Sequence, residues 1–158
     1  MASGYAPLVA LETPGSLLVH LCPRMAFPAP QDAPAPFRPG FPFPVPRADG
    51  SMVWEHDAAI AAMYPRLPQD TARALAERLR PGAPAADDNP LPGHPDVPTV
   101  LIYTTDDEFF EPEFERFMAR ELLGIEPIEL SGGHFPMAED PEGLAELLNR
   151  LARDHEAF

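Results

Sequence analysis

The sequence predicts an α/β fold built on a small parallel sheet, and three stretches carry that prediction. Residues 97–103 (Val-Pro-Thr-Val-Leu-Ile-Tyr) form a short apolar, β-branched run introduced by proline, as in a strand buried on both faces. Residues 113–123 place Phe114, Phe117, Met118 and Leu122 on one helical face, with Gly124 as the stop. Residues 125–130 alternate apolar and acidic side chains, so a second strand returns beside the first. Strand, helix and strand in that order imply a right-handed parallel crossover.

The remaining elements follow from the start of the chain. Leu8-Val9-Ala10-Leu11 reads as the end of a helix stopped by Pro14-Gly15, and residues 17–22 as an apolar strand ended by Pro23. Within that strand His20 and Cys22 read as filler. From Pro23 to Pro46, nine prolines in 24 residues leave no regular element, and Phe27, Phe37, Phe41 and Phe43 are interleaved with them. The stretch reads as a rigid cover whose rings line an apolar pocket, a spacer or docking ligand being the other reading. After the Asp49-Gly50 turn, residues 51–54 suggest an edge strand, and residues 56–64 and 69–79 two short helices separated by Pro65 and Pro68. Residues 81–98 are a Pro- and Asp-rich connector, and Asp140-Pro141 open a last amphipathic helix along Leu144, Leu147, Leu148 and Leu151. His56 and His155 read as solvated, and His94 as a loop residue.

Composition narrows the function. Twenty-five acidic against eleven basic residues give a formal charge of −14, which repels phosphate backbones and anionic lipid, so neither nucleic acid nor membrane is expected as a partner. Cys22 is the one cysteine, which excludes an internal disulfide and, on this reading, a cysteine-based zinc site; no metal and no cofactor are expected. The absence of a long apolar run or a basic leader fits a cytoplasmic protein.

Chemistry concentrates at two turns. In open α/β sheets ligands gather beyond the carboxyl ends of the strands. Here one strand ends in Thr104-Thr105-Asp106-Asp107-Glu108, and its neighbour in Ser131-Gly132-Gly133-His134. A carboxylate accepting one ring N–H of His134 would fix its tautomer and leave the other nitrogen to take a proton from a nucleophile. At this point the chain resembles the α/β-hydrolase family. The run Gly-Gly-His-Phe-Pro-Met-Ala-Glu-Asp-Pro-Glu, residues 132–142, is similar to the loop bearing that family's histidine, and Asp-Asp-Glu-Phe-Phe-Glu-Pro, residues 106–112, to the loop bearing its acid. Counting back from Pro112, the resemblance makes Asp107 the acid, with Asp106 as second choice.

The cap also enters the resemblance. Asp49-Gly50, Ala58-Ala59-Ile60, Met63-Tyr64, Leu67-Pro68 and residues 76–81 look like the cap of the hydroxynitrile-lyase and plant methylesterase-like branch. Met63-Tyr64-Pro65-Arg66-Leu67-Pro68 departs from that branch's Phe-Tyr-His-Asp-Cys-Pro run, so cap contacts with substrate do not carry over.

The resemblance implies a partial α/β-hydrolase fold in three parts. Residues 1–23 are the nucleophile-side helix end and core strand, 24–96 the cap and connector, and 97–158 the C-terminal part of the core. It implies the C-terminal portion of a serine hydrolase acting on small apolar carboxylic esters. The nucleophile is absent or unidentified. Ser3 lies near the elbow position, but Met1 and Tyr5 stand where a Gly-x-Ser-x-Gly turn needs glycines, so Ser3 is only a weak candidate. The chain alone is therefore expected to be inactive, and to self-associate or require a complementary N-terminal chain, because its sheet would keep an unpaired apolar edge. A non-catalytic remnant or binding module using the apolar pocket is the alternative.

Overall fold

The computed structural model describes residues 6–13, 15–23, 31–82 and 94–156. Ser3 and Phe27 lie outside these residues. The described chain runs α1 (Ala6–Leu11), β1 (Leu18–Leu21), β2 (Val45–Pro46), β3 (Met52–Val53), α2 (His56–Met63), α3 (Gln69–Ala76), β4 (Thr99–Thr104), α4 (Pro112–Leu123), β5 (Ile128–Leu130), α5 (Pro136–Glu139) and α6 (Pro141–Glu156). Among the described residues no helix is long and apolar enough to cross a membrane.

The three longest strands make a parallel sheet in the order β1-β4-β5. β4 is central because its sequence is apolar on both faces, and Leu101, Ile102, Tyr103 and Thr104 are all buried. Each such Leu or Ile side chain contributes about 1.5–3 kcal/mol by leaving water. Register pairs His20 with Leu101 and Leu21 with Ile102 on one side, and Ile102 with Ile128 and Thr104 with Leu130 on the other. All three carboxyl ends therefore open at the same edge of the sheet.

Helix α4 returns the chain from β4 to β5. Pro112 stands in its first turn, and Gly124, at φ 64°, supplies the left-handed cap that ends it. Leu101 and Tyr103 pack on Ala119 of this helix. The strand after it is shorter than residues 125–130, because the Ile125 N–H is spent on the Ala119 carbonyl and Pro127 has none to give. The first strand likewise stops at Leu21: Cys22 still donates its N–H to Ile102 but turns to φ 42°, the one positive value at a described non-glycine residue. The last helix, α6, opens at Pro141 as expected, and a short helix, α5, that the sequence reading did not include precedes it.

The Pro-rich stretch is less irregular than expected. Val45–Pro46 pairs antiparallel with Met52–Val53, and Phe37 bridges to Phe110. Both prolines and edge position are compatible here, since Arg47 rather than Pro46 donates across the turn, to Ser51. Its described rings pack on one another and on the helix that follows: Phe37 stacks on Phe41 and Phe110 at 5.2 and 5.5 Å, and Phe41 packs with Ala59, Ala62 and Met63 of α2 and with Tyr64. A surface cleft of about 580 Å³ lies between residues 45–47 and 53–57.

Candidate active site

Asp107 and His134 meet at the edge where the strands end. Thr105 donates its N–H to Leu130 and Asp106 donates to Gly132, at 3.0 Å each, so the turn after β4 is stitched to the turn after β5. Next in line, His134 Nδ1 lies 2.8 Å from Asp107 Oδ2. The other carboxylate oxygen of Asp107 accepts the N–H groups of Phe109 at 2.6 Å and Phe110 at 3.0 Å. Arg38 holds the same residue from behind, its Nε donating to the Asp107 carbonyl at 2.9 Å. With both oxygens engaged and its side chain fully buried, Asp107 cannot rotate away, and the imidazole is presented with Nδ1 committed.

Asp106, the second choice for the acid, serves elsewhere. Its carboxylate pairs with Arg66 at 3.2 Å, while Arg66 Nε reaches Glu139 at 3.0 Å. Arg66 comes from the turn after α2, so a single guanidinium ties that turn to the segments after β4 and β5. Glu139 also accepts the Gly133 N–H at 2.9 Å. The approach is close enough that a Cβ on Gly133 would fall 2.5 Å from Glu139 Oε1 and 2.9 Å from the Arg66 and Glu108 side chains. Glycine is needed there for room.

Aromatic rings enclose the histidine. Phe109 stacks on it with centroids 4.1 Å apart and planes 11° from parallel, while Phe135 and Phe110 stand edge-on at 4.9 and 5.5 Å. Stacking of this kind fixes the ring plane and disfavours water on that face. Trp54 packs 5.9 Å from Phe109 and 5.8 Å from Phe41, which joins this enclosure to the segment between β3 and α2.

Two buried groups beneath the pair were not read as site residues. Cys22, expected as strand filler, turns its thiol to the Thr104 hydroxyl at 3.5 Å and towards Asp107; burial pushes it upward from the ordinary thiol value, and the Glu115 charge adds to the push. Glu115 is 1% exposed, has neither carboxyl oxygen hydrogen-bonded, and is pushed up to about 9 by burial first and the Asp107 charge second. Its position carries a signal: it precedes Met118, Ala119 and Leu122 by three, four and seven residues, which places it on the inward face of α4. Cys22 carries no such signal, since only the local turn at the end of β1 aims it.

The other histidines stand apart. His20, buried in β1, lies 3.3 Å from His94, Nε2 to Nε2, and is pushed down to about 4 by burial and then by the His94 charge. His94 Nδ1 also meets the Pro95 carbonyl at 2.8 Å. His155 is not simply solvated, because its Nε2 donates to the Gly15 carbonyl at 2.9 Å and ties the end of α6 to the turn before β1.

The model of a family described as Alpha/beta hydrolase family matches residues 2–147. No curated protein matches the chain.

Proposed function

The chain belongs to the alpha/beta hydrolase family, and on that premise we propose that Asp107 and His134 are the acid and base of a site that cleaves small carboxylic esters through a serine nucleophile. The observation that carries the reading is the 2.8 Å contact between His134 Nδ1 and Asp107 Oδ2. With Nδ1 donating there, Nε2 is the basic nitrogen; it takes the serine proton as the hydroxyl attacks the ester carbonyl, and returns it to the leaving alcohol. Asp107 stays ionised throughout and stabilises the imidazolium. The rings of Phe109, Phe110 and Phe135 around the base suit an apolar acyl or alkyl group. By the sequence likeness of residues 49–81, the branch we propose is the hydroxynitrile-lyase and plant methylesterase-like one, without carrying over its substrate contacts.

The nucleophile is the open element of this proposal. Ser3 is the serine nearest in sequence to where an elbow would stand, with Met1 and Tyr5 in place of the two elbow glycines. We therefore expect the 158-residue chain alone to resist a serine-directed phosphonate probe, and a co-expressed segment bearing a Gly-x-Ser-x-Gly elbow to restore both labelling and ester cleavage. Labelling of the chain alone that disappears in Ser3→Ala would assign the nucleophile to Ser3 instead. The same partner should dock on β1, whose outer edge faces none of the described strands. Light scattering should then find the chain alone self-associated and the co-expressed pair as a discrete complex; a lone monodisperse monomer would contradict this part of the proposal.

A further inference from the structure

The strand ends that bring Asp107 to His134 bring a third donor with them. Cys22 Sγ, a carboxylate oxygen of Asp107 and a ring nitrogen of His134 all lie within 4.8 Å of one another. They come from the carboxyl ends of three adjacent parallel strands, which is why no sequence spacing links them. Cys22 and Asp107 are buried, at 6% and 1% exposure.

A second observation concerns the surroundings. Glu115 is nine-tenths buried and more, neither of its carboxyl oxygens has a hydrogen-bond partner, and its charge acts on Cys22 while that of Asp107 acts on it. A thiol and two carboxyl groups thus lie buried together, and their basic forms are all anionic. Such a grouping costs free energy unless protons or a cation offset it.

We propose that Cys22, Asp107 and His134 form a binding site for a zinc ion, which competes with the proton shared by Asp107 and His134. Thiolate, carboxylate and imidazole are the donors zinc takes, and three protein ligands leave a fourth, open position. Bonds of about 2.3 Å to sulfur and about 2.0–2.2 Å to nitrogen and oxygen put tetrahedral ligand atoms roughly 3.2–3.7 Å apart. The donors need to close by about an ångström at most, and Nδ1 and Oδ2 to part by a few tenths. Calcium and magnesium are excluded by chemistry, because hard cations take oxygen and not a thiolate.

The exchange balances simply. Sulfur loses its proton to solvent and bonds to the metal, Nδ1 gives up its proton to Nε2 and bonds to the metal, and Oδ2 replaces an N–H donor by the metal. The dication offsets the charges of Asp107 and the Cys22 thiolate, beside which Glu115 has no hydrogen-bond partner. With Nε2 protonated the imidazole is no longer a base, so the zinc form and the proton-transferring form exclude each other. One cysteine is enough for the site, contrary to the reading from cysteine count alone.

The test is titration of the full 158-residue chain with cobalt(II), followed by zinc. We expect one equivalent of cobalt to give a thiolate-to-metal charge-transfer band in the near ultraviolet and intense visible bands of a four-coordinate ion, both bleached by zinc. Cys22→Ala should lose the charge-transfer band, and His134→Gln should weaken zinc binding at least tenfold. Absence of that band in the unaltered chain overturns the proposal whether or not the variants fold. Zinc bound equally well by a folded Cys22→Ala variant overturns it too. Binding needs neither substrate nor a complementing segment, so the outcomes separate: zinc bound by the chain while its zinc-free complemented form cleaves no ester sinks only the esterase reading, and ester cleavage by that complemented form without zinc binding by the chain sinks only this one.

Discussion

Asp107→Asn is expected to lower kcat for ester cleavage roughly 10⁴-fold in the complemented protein, with KM little changed. The reason lies in the two backbone N–H groups of Phe109 and Phe110, which both point at Oδ1 of residue 107. They would hold the amide oxygen of asparagine at that place and so turn its NH₂ towards His134. Nδ1 would have to accept, the ring proton would move to Nε2, and the base would be lost while the geometry survived. His134→Ala should be at least as damaging. Steady-state kinetics on a small activated ester decide the matter, and an asparagine variant within tenfold of the parent would remove Asp107 from the proposed role.

Glu115→Met should stabilise the fold by about 1–4 kcal/mol near pH 8, as replacement of a buried ionisable group by an apolar one of similar size often does. Folded, Glu115 holds its proton up to about 9; unfolded, it releases it near the ordinary carboxyl value of 4.5. The folded state therefore carries the extra proton between these values. Whatever Glu115 contributes is fully present below pH 4.5 and is lost as pH rises towards 9. The methionine variant has no such loss, so its advantage should grow with pH and vanish in acid. Urea unfolding at pH 5 and pH 8 measures the difference; a variant less stable than the parent at pH 8 would show that the carboxyl has a structural partner.

Much of this was legible because local rules and tertiary structure agree along residues 97–156. Proline, β-branched residues and a capping glycine mark β4 and α4 to within two residues, while β5 begins three residues later than its alternation suggested. Asp107 and His134 were legible for the same reason, since each closes one of those strands. Cys22 was not, because the backbone reversal at φ 42° that aims its thiol leaves no residue signature; glycine or asparagine would have announced it. Arg66 was hidden differently: its pairs with Asp106 and Glu139 join residues 40 and 73 positions away, and an exposed arginine in a turn looks like any solvated charge. The pairing of Val45 and Pro46 with β3 was overruled by proline density, which predicts the missing donors correctly and the missing strand wrongly.

Trp54 gives the molecule a built-in optical probe. It is the single tryptophan of the chain, and the Phe109 ring, 5.9 Å from its own and 4.1 Å from that of His134, contacts both the indole and the imidazole. Emission from one fluorophore so placed reads the packing around the histidine without any label, and an event that shifts Phe109 changes it in the native chain as well as in each variant.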